Sequence, residues 1–223
     1  MLTIHHLNNS RSQRILWLLE ELTLPYELKL YHRDAKTSLA PSSLREIHPL
    51  GKSPVITDNS ETIAESAAII DYILETYGKG RFKPEPKTAE FLKFNYWFHY
   101  AEGSAMPPLL LNLVFTKIKK QPVPFFIRPI VTGLANKVLS DYINPQMRLH
   151  IDYMESELQK NIWFAGKQFS AADIQMSFPV EAAASRGYIE SKHKKLNEFL
   201  ARIHARPAYQ KALEKGGPFD LVY

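Results

Sequence analysis

The sequence predicts an α/β N-terminal domain followed by an all-α C-terminal domain, on three observations. In the first 78 residues, a period-two run at Tyr26, Leu28 and Leu30 follows a helix-like stretch dense in Leu, Ile and Trp. The stretch Gly78-Lys79-Gly80-Arg81-Phe82-Lys83-Pro84-Glu85-Pro86-Lys87 is rich in Gly and Pro, which marks a linker over 79–87 between domains 1–80 and 88–223. Beyond it, caps and prolines bound long helical segments.

Leu2-Thr3-Ile4-His5-His6-Leu7 reads as the first strand. Residues 10–22 form the first helix, stopped before Pro25, and the alternation of Tyr26, Leu28 and Leu30 with Glu27 and Lys29 makes a half-buried strand. A short helix is expected around 42–46. Val55-Ile56-Thr57 and Glu61-Thr62-Ile63 flank Asp58-Asn59-Ser60, a hairpin signal. Residues 66–77 are amphipathic and end at Gly78, a residue suited to the position after a helix. The order strand, helix, strand, helix, strand, strand, helix is that of a thioredoxin-like domain. In the second domain Thr88 is the expected N-cap of a helical segment over 89–115, which Pro107-Pro108 should kink or interrupt. Asn144-Pro145 reads as the start of another helix or a second kink. Trp163-Phe164-Ala165-Gly166 is expected to close that helix, Ser170 to cap the next with Asp173 as its partner, and 191–206 to form a last helix ended by Pro207.

Composition excludes several function classes. With no cysteine, thioredoxin, glutaredoxin and cysteine-type transferase chemistry are excluded, as are disulfides and Cys-based metal sites. Any thiol chemistry must use a thiol that arrives with the substrate. The first residues lack a signal-peptide layout, and no apolar run reaches the roughly 18 residues of a membrane span. A cytoplasmic protein without an integral membrane segment is the expectation. The net charge of +5 is uneven: residues 1–80 carry eight Lys and Arg against ten Asp and Glu, and the remainder twenty against thirteen. The basic clusters Lys117-Ile118-Lys119-Lys120 and Lys192, Lys194, Lys195 are short and lack a nucleic-acid-binding motif, so they read as solvated surface rather than as a nucleic-acid site.

Candidate chemistry lies at two turns and one helix start. Pro54 stands at the mouth of the run Val55-Ile56, where a cis bond and a backbone at Ser53 free to pair with an extended ligand are expected. Glu65 and Ser66 open a helix, and a helix N-terminus attracts anions. A peptide-like ligand with a free carboxylate suits both, although each could be an ordinary turn. Ser10 stands at the start of the first helix, where a hydroxyl can donate to an anion or merely cap the helix. No Gly-x-Ser-x-Gly elbow surrounds it, which argues against a nucleophilic serine. After the linker, Tyr96, His99 and Gly103 recur at helical spacing, with Tyr100 and Glu102 beside them. They line a substrate site or belong to an aromatic core.

Four stretches in order carry a resemblance: Ser10 with Arg14, Pro49-Leu50-Gly51-Lys52-Ser53-Pro54, Ala64-Glu65-Ser66 and Phe169-Ser170-Ala171-Ala172-Asp173. Over roughly residues 1 to 215 the chain resembles the soluble glutathione transferases, most of all the serine-type, theta-like group of bacteria and fungi. Lys167 and His48 depart from the family pattern beside these motifs. The resemblance implies a homodimer with glutathione as co-substrate, no permanently bound cofactor and no metal. It implies that Ser10 donates to the glutathione thiolate, that the Ser53 backbone pairs with the cysteinyl moiety, that Glu65 and Ser66 hold the γ-glutamyl end, and that Lys52 reaches the glycine carboxylate. The partner would be a small apolar electrophile, or an organic hydroperoxide, in a pocket formed by Arg11, Tyr96, His99, Tyr100, Glu102 and Gly103. Arg14 is expected to form a structural ion pair. Two rivals stay open: a catalytically silent dimerising member of the fold, and a membrane-surface protein using Lys117-Ile118-Lys119-Lys120 and Phe125-Phe126-Ile127. Residues 117–128 are expected to be a mobile surface connection.

Overall fold

The computed structural model describes residues 1–34, 37–217 and 219–221, so residues 218, 222 and 223 of the second expected domain lie outside the described residues. Strands β1 (Leu2–Leu7), β2 (Glu27–Tyr31), β3 (Val55–Asp58) and β4 (Glu61–Ala64) form one sheet in the order β2-β1-β3-β4. β1 runs parallel to β2 and antiparallel to β3, and β3 and β4 form the expected hairpin, with Val55 opposite Ala64. Helices α1 (Ser12–Leu22), α2 (Ser43–Ile47) and α3 (Ser66–Tyr77) complete this half. All six residues of β1 are buried, and Ile4 and Ile56 meet Leu16, Leu19, Ile70 and Ile73 in a core closed to solvent.

One boundary and one turn conformation differ from the sequence reading. α1 begins at Ser12 rather than Ser10, because Asn9 takes a left-handed φ of 49° and turns the chain before the helix can start. Gly78 keeps a helical φ of −71°, and the left-handed turn falls on Lys79 (φ 50°) and Gly80 (φ 75°) instead.

The second half is helical throughout. α4 (Ala89–Tyr100) is capped by Thr88, whose hydroxyl accepts from the Phe91 amide at 3.1 Å. It does not break at Pro107-Pro108. The helix widens upstream into a π-turn over Ala101–Ala105, closed by Met106 N–H donating to the Ala101 carbonyl, and continues as α5 (Met106–Lys120). A proline lacks the donor that an α-turn requires, and shifting the preceding residue to i→i+5 pairing satisfies the backbone without a break. The same device recurs before Pro145. α6 (Arg128–Val138) passes through a π-turn over Leu139–Ile143, closed by Asn144 N–H on the Leu139 carbonyl, into α7 (Asn144–Lys160). Asn144-Pro145 is therefore a kink and not a helix start. Residues 117–120 are the last turn of α5, which makes that part of the expected mobile connection helical.

Trp163 and Gly166 exchange backbone hydrogen bonds of 2.9 and 3.0 Å in a tight loop beyond α7 instead of closing the helix. α8 (Ala171–Ser185) is buried along most of its length at the centre of the helical half. Its capping box forms as expected: the Asp173 carboxylate accepts from the Ser170 amide (2.8 Å), the Ser170 hydroxyl (3.1 Å) and the Phe164 amide (2.9 Å). Burial pushes the Asp173 pKa up to about 6 against these donors.

α9 (Lys194–His204) ends earlier than expected, and Pro207 opens a further helix, α10 (Pro207–Gly216), where its missing donor costs nothing. α10 returns to the first domain. Lys211 and Lys215 pair with the buried Glu20, and Arg206, just before α10, pairs with Glu21. Gly216 lies so close to α1 and β1 that a Cβ would sit 2.9 Å from Leu16 and 3.0 Å from His6.

Candidate functional site

Four chain segments far apart in sequence converge on one cleft of about 210 Å³. The turn before β3 brings Lys52, Ser53 and Pro54, and the β4–α3 junction brings Ala64, Glu65 and Ser66. Arg11 comes from the start of α1, and Glu102 from the π-turn after α4. The Ser53-Pro54 bond is cis. Gly51 supplies a left-handed φ of 57° just before Lys52, at the close approach of that turn to Arg45.

Glu65 has φ 72° and ψ 126°, a conformation that costs a non-glycine residue of order 1–3 kcal/mol and persists only where its surroundings enforce it. The enforcement is visible: Glu65 is fixed between β4 and α3, and its carbonyl already accepts from the Ile69 amide at 2.9 Å. The Glu65 side chain does not cap the first amides of α3, which open at the cleft edge. An anion there would meet uncommitted donors and the positive end of a twelve-residue helix.

Ser10 is buried at the back of this arrangement. Its hydroxyl lies 3.4 Å from that of Ser53 and 2.7 Å from that of Ser12, and it accepts from the Ser12 amide at 3.2 Å. The chain of contacts continues inward. Ser12 Oγ is 3.0 Å from His6 Nδ1, and His6 bonds on its other side to the Gly216 carbonyl. Donation from Nε2 to that carbonyl leaves Nδ1 as an acceptor for Ser12, which in turn accepts from Ser10. Burial lowers the His6 pKa to about 4 despite the Gly216 bond, so the ring is neutral near pH 7 and keeps this acceptor. Sequence reasoning missed His6 and Ser12. His6 looked like any strand residue, since its partner Gly216 lies at the far end of the chain. The Ser10-Arg11-Ser12 spacing was the only available signal.

Arg14 is 2 % exposed and ties three elements together. Its guanidinium donates to Ser66 Oγ (2.8 Å), Glu102 Oε1 (2.6 Å) and the Gln175 carbonyl of α8 (2.7 Å). The structural ion pair expected of it is present. Arg11 adds a second cation on Glu102 at 3.1 Å. Burial opposes the Glu102 carboxylate, but Arg14 and Arg11 outweigh it and hold its pKa below the usual range.

The residues expected at the electrophile site fall into two groups. Arg11 and Glu102 line the cleft, and His99 and Gly103 are exposed on the same stretch of helix, with nothing within 4 Å of a Cβ built on Gly103. Tyr96 and Tyr100 point elsewhere. Tyr96 stacks on Tyr100, both contact Trp97 and Tyr153, and the Tyr100 hydroxyl bonds to His150.

Residues 4–85 match the family model described as the N-terminal domain of glutathione S-transferase, and residues 115–207 match its C-terminal domain. The chain belongs to the glutathione S-transferase family. This transferase is 41% identical over 217 residues to glutathione S-transferase 3 of Schizosaccharomyces pombe, covering 96% of this chain and 88% of the relative. It is 32% identical to glutathione S-transferase 1 of Saccharomyces cerevisiae, covering 96% and 95%. Among solved structures, a glutathione S-transferase from Actinobacillus pleuropneumoniae superposes with a TM-score of 0.80 at 35% identity, over 99% of this chain and 95% of that one. The α/β half with its helical partner is thus the glutathione transferase architecture, a thioredoxin-like domain followed by an all-α domain. No helix among the described residues is long and apolar enough to cross a membrane.

Proposed function

We propose that residues 1–80 hold glutathione in the Lys52–Ser53–Glu65–Ser66 cleft, and that its thiolate, stabilised by Ser10, attacks a small apolar electrophile presented by residues 88–223. The observation that carries this reading is the convergence of those residues, with Arg11 and Glu102, on one cleft backed by a buried hydroxyl. The polar groups match the ligand. The α3 N-terminus and Ser66 suit the γ-glutamyl carboxylate, Glu65 its ammonium, the Ser53 backbone the cysteinyl unit and Lys52 the glycine carboxylate.

A free thiol with pKa about 8.5 is only a few per cent ionised at pH 7, and lowering it by two units requires roughly 2.7 kcal/mol of preferential anion stabilisation. One charge-assisted hydrogen bond from Ser10 contributes about 1.5–3 kcal/mol. Ser10 frees its proton for sulfur by releasing Ser12, which keeps its own bond to the neutral His6. His99 and Gly103, beside Glu102, leave an open approach for the electrophile, while Tyr96 and Tyr100 support the helix behind it. Offered an organic hydroperoxide, the same thiolate attacks the O–O bond and releases an alcohol. The glutathione sulfur keeps one peroxide oxygen as a sulfenic acid, and a second glutathione thiol displaces that oxygen as water to give the disulfide. Glutathione is the sole co-substrate in this scheme, no cofactor or metal is permanently bound, and the protein works as a cytoplasmic homodimer.

Calorimetric titration with glutathione, paired with conjugation of an activated aryl halide, tests the proposal. The expected result is saturable one-to-one binding and a conjugation rate above solution background that falls in Lys52→Ala and Glu65→Ala. Binding without conjugation would assign the chain to the catalytically silent members of the fold.

A further inference from the structure

The helical hairpin of α5 and α6 stands apart from the rest of the molecule. Residues 103–140 hold five of the chain's 28 Lys and Arg and none of its 23 Asp and Glu, which leaves 23 of each elsewhere. The whole net charge of +5 therefore resides on this hairpin, at Lys117, Lys119, Lys120, Arg128 and Lys137. Just beyond the far end of α6, Asp141 meets Lys137 at 2.9 Å.

The same hairpin exposes apolar side chains. At its apex Phe125 is 86% exposed and Phe126 65%. Leu110, Val114 and Ile118 continue the exposed set at four-residue spacing along α5, as do Ile127, Ile130 and Leu134 at spacings of three and four from the start of α6 onward. Exposed apolar clusters of this extent mark interaction surfaces rather than ordinary solvated faces.

We propose that this hairpin docks the transferase on an anionic lipid bilayer, with Phe125 and Phe126 entering the headgroup region and the cations resting on acidic headgroups. The charge selects the occupant. A second copy applied through the same face would oppose two clusters of five cations with no acid in either hairpin. An anionic bilayer neutralises them while accepting the aromatic side chains. The arrangement is unlike a phosphate-tracking stripe, because the cations flank an apolar apex rather than line a groove. The consequence for function is access to apolar compounds that partition into lipid, although the docking itself is independent of the chemistry assigned to the cleft.

The test is co-sedimentation of the full chain with vesicles of phosphatidylcholine alone or mixed with phosphatidylglycerol, at physiological ionic strength. The expected result is binding to the anionic vesicles only, weakened by added salt and reduced roughly tenfold or more in Lys119→Glu/Lys120→Glu. Phe125→Ser/Phe126→Ser should lose binding comparably while glutathione affinity, circular dichroism and sedimentation coefficient stay unchanged. Three outcomes would overturn the proposal. In the first, the protein stays in the supernatant with both vesicle types. In the second, the Phe variant keeps its vesicle binding but sediments as a smaller species, which assigns the face to a second copy. In the third, salt-sensitive binding to duplex DNA occurs without vesicle binding.

Discussion

The middle and the far end of one continuous helical stretch, α4 through α5, treat polar and apolar groups in opposite ways. At Glu102 the carboxylate is met by Arg14 and Arg11, and Arg14 also serves Ser66 and the Gln175 carbonyl. Some eighteen residues further on, cations cluster without an acid among them and large apolar side chains face solvent. Charge that is partly buried must be paired, because desolvation is otherwise too costly, and such pairing fixes geometry to within a fraction of an ångström. Exposed charge has no such requirement and leaves its surroundings unconstrained. The paired region closes one side of a small cleft in fixed geometry, whereas the far region leaves a broad apolar and cationic surface open to solvent.

The largest break in this contrast should come from Arg14→Met. It strands Glu102 with Arg11 alone and leaves Ser66 and the Gln175 carbonyl without their donor. Removing one partner of a buried ion pair typically costs about 3–5 kcal/mol, so urea unfolding should show a loss of about 3 kcal/mol. A loss under about 1 kcal/mol would mean that the hub is incidental.

The His6 ring should give a pH-dependent effect of the next size. Its folded pKa of about 4 lies below the ordinary 6.5, so the neutral ring favours the fold above pH 6.5. That contribution is lost as pH falls from 6.5 through 4, by up to about 3 kcal/mol at 1.36 kcal/mol per unit. Asp173, raised to about 6, acts with the opposite sign, since its protonation favours the fold as pH drops from 6 towards 4. The difference between wild type and His6→Gln isolates the histidine: wild type should lose more stability than the variant between pH 7 and pH 4.5. Parallel pH profiles would remove His6 from the account.

A smaller change should follow from Glu65→Ala. Its glutathione KM should rise roughly tenfold with kcat nearly intact, the mark of an interaction made equally in ground and transition states. An unchanged KM would mean that the strained junction only shapes α3. Glu65→Gly should sharpen the point by gaining about 1 kcal/mol of stability from the released φ while still binding glutathione poorly.

Much of this architecture was legible in local sequence. The period-two alternation before Leu30, the Asp58-Asn59-Ser60 turn and the Ser170–Asp173 box each encode their structure within a few residues, and each appears where expected. At the prolines the sequence left a kink and a break both open, and the structure takes the continuous alternative: Pro107 and Pro145 reshape the turn before them rather than ending a helix. α10 was missed because Pro207 reads equally as a stop or a start. At the site, Lys52, Ser53, Glu65 and Ser66 were legible as a motif. Glu102's double arginine partnership spans 91 and 88 residues, and the bond that orients the His6 ring reaches Gly216 near the far end of the chain, which no local pattern carries.

The central claim, that Ser10 stabilises the bound glutathione thiolate, is tested most directly by the ultraviolet thiolate absorbance of the glutathione complex, titrated against pH in wild type and in Ser10→Ala. The account predicts a thiol pKa well below the free value of about 8.5 in wild type and a return towards that value in the variant. Turnover should fall roughly ten- to a hundredfold with little change in glutathione affinity. Superimposable titration curves would contradict it and would assign activation to another donor, such as Arg11 or a backbone amide at the start of α1.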